Sequence, residues 1–121
     1  MPKLYLRKKF EFDAAHKLEL HPGKCKNLHG HTYTLELIIT GSVNYKTGMI
    51  IDFYDLKKIV NQHVLDHFDH AYLNDFLNIP TAENLVNWIW QKLEPVFHEQ
   101  GIELVKIKLW ETPDSAAILT K

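Results

Sequence analysis

Two stretches of alternating apolar residues in the first third of the chain decide most of what it can fold into. In the first, Leu4, Leu6, Phe10, Phe12 and Ala14 share one parity, and His16 falls on it. In the second, Tyr33, Leu35, Leu37 and Ile39 share their parity with His29 and His31. Side chains at i and i+2 of a strand point to the same face. Each stretch therefore predicts a strand with one apolar and one polar face, over residues 4–15 and from about 31 to 40. The same parity sets His16, His29 and His31 on the predicted inward faces of two neighbouring strands. His29 and His31 can aim at one point if the strand includes both.

Beyond these strands the period changes. Residues 17–27 contain His21-Pro22-Gly23 and read as a loop that delivers Cys25 towards the histidines. Residues 42–47 are polar and turn-like, and Gly48 is a turn residue. Met49-Ile50-Ile51 reads as a short extended piece leading to Asp52, a helix N-cap. Leu56, Ile59, Val60, Val64 and Phe68 then fall on one helical stripe. Residues 70–75 read as irregular. Thr81 is a second N-cap, and Leu85, Val86, Ile89 and Leu93 line one helix face. Pro95 kinks or ends that helix, and Gly101 stops it. Alternation returns over 103–111, through Val105, Ile107 and Leu109, and in a short last strand at 116–119 after Pro113-Asp114. The order ββααββ predicts an α+β domain, a four-stranded antiparallel sheet with two helices on one face. Such a sheet leaves open edges, which assembly into a multi-subunit barrel would close.

Composition excludes several classes of function. Hydrophobic residues make up 45% of the 121, enough for one core and against disorder. A net charge of −1 leaves no global cationic footprint for nucleic acid. The single cysteine excludes an intramolecular disulfide framework and a cysteine-rich structural zinc site, and it suits a reducing cytoplasm. No apolar run approaches the roughly 20 residues of a membrane span, and the N-terminus lacks the apolar core of a signal peptide.

Three histidines with no cysteine cluster point to zinc with an open fourth position, the pattern of catalytic sites. Histidines at strand ends also serve as packing residues, but three on matched faces favour a metal. His63 and His67, spaced i, i+4 on the first helix, form a second candidate pair. Val64 stands where the His-Glu-x-x-His protease motif has glutamate, so these two read as packing or interface residues. Cys25 lies between Lys24 and Lys26, and nearby cations favour a thiolate. That thiolate is either a base or a fourth metal ligand; spacing alone does not separate the two. Asp69-His70 pairs a carboxylate with an imidazole it can orient for acid–base work. Glu111 keeps the inward parity of Val105, Ile107 and Leu109. An inward carboxylate needs a partner, which a ligand with two adjacent N–H groups or an internal cation would supply.

The chain resembles the 6-pyruvoyltetrahydropterin synthase family, and most closely its bacterial branch that makes 6-carboxytetrahydropterin. Phe12-Asp13-Ala14-Ala15-His16 and Cys25-x-x-x-His29-Gly30-His31 carry the resemblance, and Ile51-Asp52-Phe53, Leu73-Asn74, Pro80-Thr81-Ala82-Glu83-Asn84 and Trp110-Glu111-Thr112 are similar to later family segments. The resemblance implies a tunnelling fold, with trimeric rings stacked into a homohexamer and active sites between subunits. It implies His16, His29 and His31 as zinc ligands and Cys25 as general base. Asp69 and His70 are implied as acid/base partners, and Glu111 as the carboxylate that anchors the pterin ring. The implied reaction converts 7,8-dihydroneopterin triphosphate to 6-carboxy-5,6,7,8-tetrahydropterin with release of acetaldehyde and triphosphate, in queuosine biosynthesis. The expected partners are this small molecule and further copies of the chain, with no nucleic acid or membrane. The short spacing from Cys25 to His29 favours this branch over the pyruvoyl-forming enzymes of the same family. A non-catalytic zinc- and pterin-binding subunit is the other alternative, but it would need neither Cys25 nor His70.

Overall fold

The alternating stretches form the two central strands of the sheet. β1 (Leu6–His16) pairs along its whole length with β2 (His29–Thr40), antiparallel, with Leu6 opposite Ile39 and His16 opposite His29. The computed structural model describes residues 2–121. Both strands extend further towards the intervening loop than alternation predicts, so all three histidines lie on regular strand. Phe12, Tyr33, Leu35, Leu37 and Ile39 are buried on one face, as their parity requires.

The sheet has five strands rather than four, in the order β3-β1-β2-β4-β5. The additional strand, β3 (Ala71–Tyr72), pairs parallel with β1 at Ala14 and Ala15. Two residues carry no readable alternation, which is why this stretch looks irregular in sequence. β4 (Glu103–Thr112) pairs with β2 and with β5 (Ser115–Thr120), both antiparallel. Met49-Ile50-Ile51 is not extended. Asn44 folds the preceding segment into a turn: its Oδ1 accepts from Lys46 and Thr47 N–H, and Gly48 sits at φ +73°.

Two helical stretches cover the apolar face. Asp52 caps the first by accepting from Tyr54 N–H. It runs through α1 (Phe53–Val60), a π-helical segment (Asn61–Leu65) and α2 (Asp66–Phe68). Its buried residues Leu56, Val60, Val64 and Phe68 recur every four positions. An α-helix turns about 100° per residue, so such a stripe slips about 40° at each step and about 120° over three. The more loosely wound π turn takes much of that slip back and keeps Phe68 in the core. The second stretch, α3 (Ala82–Glu99), is capped by Thr81 and runs through Pro95 to its end. Among the described residues no helix is long and apolar enough to cross a membrane.

The opposite face is polar. Glu36 is 4% exposed there and lies 3.9 Å from Lys9 Nζ and 3.7 Å from Lys108 Nζ on the flanking strands. Removing one lysine would leave a buried carboxylate short of partners. Among the described residues, beyond its short contact with β3, the outer edge of β1 has no partner strand, and neither has the outer edge of β5.

Candidate active site

His16 and His29 end up directly opposite one another because β1 and β2 pair in perfect register to their last residues. His31 stands two residues along on the same face, opposite Ala14. The three rings gather with centroids 4.5, 4.9 and 5.2 Å apart, each pair tilted edge to face.

Hydrogen bonds fix which nitrogen each ring offers. His16 Nδ1 lies 2.8 Å from the Pro80 carbonyl, and His29 Nδ1 lies 2.8 Å from the Asn27 carbonyl. A carbonyl only accepts, so each Nδ1 carries a proton, and the neutral form of each ring then offers its lone pair at Nε2. These two Nε2 atoms face one another at 3.0 Å. Two lone pairs at that separation repel unless a cation lies between them. Among the described residues, His31 Nε2 is buried without a hydrogen-bond partner. Burial holds His31 below the usual imidazole range, against a smaller upward pull from Glu111, which keeps it neutral and able to ligate. Tetrahedral zinc with bonds of about 2.0–2.1 Å would hold its nitrogens roughly 3.3 Å apart. The donor set, the backbone-held tautomers and the orphaned nitrogen all fit zinc.

Tyr33 lies beneath the site, fully buried and stacked on Phe12, with Oη 3.4 Å from His16 Nδ1. Burial, reinforced by the Glu111 charge, pushes its phenol far above the usual range, so it stays protonated.

Glu111 reaches the histidines through a bulge. The β4–β5 register shifts between Trp110 and Thr112, which leaves Glu111 as the extra residue at the rim. Its Oε1 lies 3.8 Å from His31 Nε2 and its Oε2 4.0 Å from His16 Nε2. Both contacts set its carboxylate at the edge of the histidine group. A cleft of about 590 Å³ opens beside Glu111 and His31, bounded by Thr32, Thr34, Trp110 and Thr112. Its size suits a small-molecule ligand.

Asp69 and His70 sit on the outer edge of β1 and not within the histidine group. Asp69 Oδ1 accepts from Asp13 N–H at 3.0 Å, and His70 N–H donates to the Asp13 carbonyl at 2.6 Å. Asp69 Oδ1 also lies 3.2 Å from His70 Nδ1, so the carboxylate orients the ring. His70 has φ +60°, a left-handed conformation uncommon away from glycine. The pair of main-chain bonds to Asp13 holds it there. The His70 side chain is 78% exposed. Cys25 occupies a short 3₁₀ turn (Lys24–Lys26), half-buried, and its carbonyl accepts from Leu18 N–H. It does not join the convergent group formed by His16, His29 and His31. His67 packs edge-on against Phe76 and Trp88. The other convergent group of potential ligands among the described residues is Asp13, Asp69 and His70. Sequence reasoning passed over Asp13 and the Pro80 and Asn27 carbonyls, because main-chain contacts leave no trace in residue type.

An α+β sheet that converges three imidazoles beside a carboxylate and an open cleft has a donor set that could hold a metal in an enzyme-type site. A sequence profile described as 6-pyruvoyl tetrahydropterin synthase matches residues 5–121. The chain belongs to that family. It is 40% identical over 136 residues to the 6-carboxy-5,6,7,8-tetrahydropterin synthase of Haemophilus influenzae, covering 91% of this chain and 94% of that protein. It is 36% identical over 100 residues to the dihydroneopterin monophosphate aldolase of Pyrococcus furiosus, covering 83% and 82%. The fold superposes on the Caenorhabditis elegans 6-pyruvoyl tetrahydropterin synthase with a TM-score of 0.86 at 30% identity, over 100% of this chain and 97% of that one. The tunnelling fold and the pterin-lyase family are thereby shown.

Proposed function

We propose that the chain is a zinc-dependent, cytoplasmic lyase that converts 7,8-dihydroneopterin triphosphate and one water to 6-carboxy-5,6,7,8-tetrahydropterin, releasing acetaldehyde and triphosphate, within queuosine biosynthesis. The observation that carries the reading is the convergence of three backbone-oriented histidines in a chain with carboxy-forming relatives. His16, His29 and His31 would hold zinc, which would supply Lewis-acid stabilisation of negative charge on the substrate's side-chain oxygens. Cys25 moves protons on the side-chain carbons. His70, oriented by Asp69, serves as the complementary acid and base. Glu111 accepts a hydrogen bond from the side-chain hydroxyls and holds them in place. Among the described residues, the outer edge of β1 beyond its short contact with β3 and the outer edge of β5 are open, and they support assembly into rings, with two trimers stacked as a hexamer.

Incubating the zinc-loaded protein with 7,8-dihydroneopterin triphosphate and identifying the product by mass spectrometry tests the reaction. A carboxy product with acetaldehyde supports it. A pyruvoyl product, or aldol cleavage as the name of the Pyrococcus relative describes, would replace it.

Two substitutions test the roles of the residues. His29→Ala removes one of three ligands, and the protein is expected to lose its zinc on dialysis, read by elemental analysis. Full occupancy in that variant would move the metal elsewhere. Glu111→Gln is expected to keep its zinc and to bind an unsubstituted pterin as tightly as wild type, yet to lose roughly 10²-fold in kcat. Calorimetric titration of the unsubstituted pterin decides the matter, because a fall in its affinity would restore Glu111 to the ring edge.

A further inference from the structure

Asn74 belongs to a segment similar to the family's, yet it touches neither the histidine group nor the cleft. Its side chain binds both main-chain groups of Lys17. Oδ1 accepts from Lys17 N–H at 3.0 Å, and Nδ2 donates to the Lys17 carbonyl at 2.9 Å. Lys17 directly follows His16, at the point where β1 ends. A neighbouring strand would ordinarily satisfy those two groups. A carboxamide presents one acceptor and one donor side by side and can stand in for it.

The residues before Asn74 are joined to the same edge of β1. Asp69 and His70 bond the main chain of Asp13, and Ala71 and Tyr72 pair with Ala14 and Ala15. Asn74 closes this run one residue beyond His16. Leu73, fully buried, anchors the turn that presents it. His16 is therefore held at two ends: its ring by the Pro80 carbonyl, its main chain by this strap. A ligand set is useful only when its atoms are fixed to within about 0.5 Å.

We infer that Asn74 is a positioning residue. It fixes the main chain at His16, and through it the direction of Nε2, and it ties that ligand to the strap that carries Asp69 and His70. The inference rests on the metal site proposed above. Without the carboxamide, the last peptide of β1 turns to water and His16 gains freedom about its main chain.

The experiment measures zinc affinity by competition with a chromophoric chelator and, in the metal-free protein, hydrogen exchange at the Lys17 amide. Asn74→Leu removes both bonds. It is expected to lose Lys17 protection and to bind zinc about 10–100-fold more weakly, the usual cost of removing an outer partner. Asn74→Asp keeps the acceptor but sets a carboxylate oxygen against the Lys17 carbonyl, so zinc should weaken while the amide stays protected. Asn78→Asp, an exposed site in the same segment, should match wild type. Wild-type zinc affinity in both Asn74 variants overturns the inference, as does an equal loss in Asn78→Asp. If Asn74→Leu does not fold, Asn74→Asp decides alone. If the wild type binds no zinc, the metal reading fails by itself. Exchange at Lys17 then still decides the clamp, and an amide indifferent to Asn74→Leu overturns it.

Discussion

Replacing Cys25 with alanine is expected to cut turnover by roughly 10²–10⁴-fold, the contribution of a positioned proton-transfer group, while zinc content and thermal stability stay near wild type. Cys25 sits in a short turn on the loop between β1 and β2, and it is only half-buried. The contact that ties this turn to the end of β1 uses its carbonyl, which alanine retains. Removing the sulfur therefore leaves no large cavity and breaks no hydrogen bond of the fold. The thiol also stands apart from the three converging imidazoles, so zinc should not need it. Steady-state turnover and elemental analysis on the same sample separate the outcomes. Near-normal turnover would remove Cys25 from the chemistry. Loss of zinc together with turnover would make it a fourth ligand.

The parts of this site differ in how far they could be read from sequence. Strand parity alone aligned His16, His29 and His31, because a period of two leaves a side chain only two faces to choose from. Parity also put Glu111 inside, but its distance from the histidines depends on the bulge at the end of β4, and a one-residue register shift has no signature in residue type. β3 escaped notice for a similar reason: a two-residue parallel pair is held by main-chain groups that every residue shares. The π-helical segment was visible in principle. Buried residues at a strict spacing of four cannot stay on one face of a regular α-helix. Asp69-His70 was legible as a pair. Its left-handed turn was not, since histidine, although enriched at positive φ, adopts it in only a minority of cases.

The exposure of His70 leads to the other large effect. An acid/base pair works best where water is excluded, yet the His70 side chain is 78% exposed on a single chain. It borders an open cleft of about 490 Å³ with His31 and Thr32 among the described residues. In the proposed ring a neighbouring copy would supply the covering surface, and His70 of one subunit would meet Cys25 of the next. Cys25→Ala and His70→Ala homo-oligomers should then each retain about 1% of wild-type turnover or less. Co-expressed with different tags and purified through both, they should recover. Random mixing leaves about a quarter of the interfaces with both wild-type residues, and turnover should rise towards that fraction. If Cys25 and His70 instead serve one site within one chain, every site in the mixture carries a lesion. The mixed oligomer, verified by native mass spectrometry, would then stay as inactive as its parents. Recovery thus requires only that the two residues come from different chains.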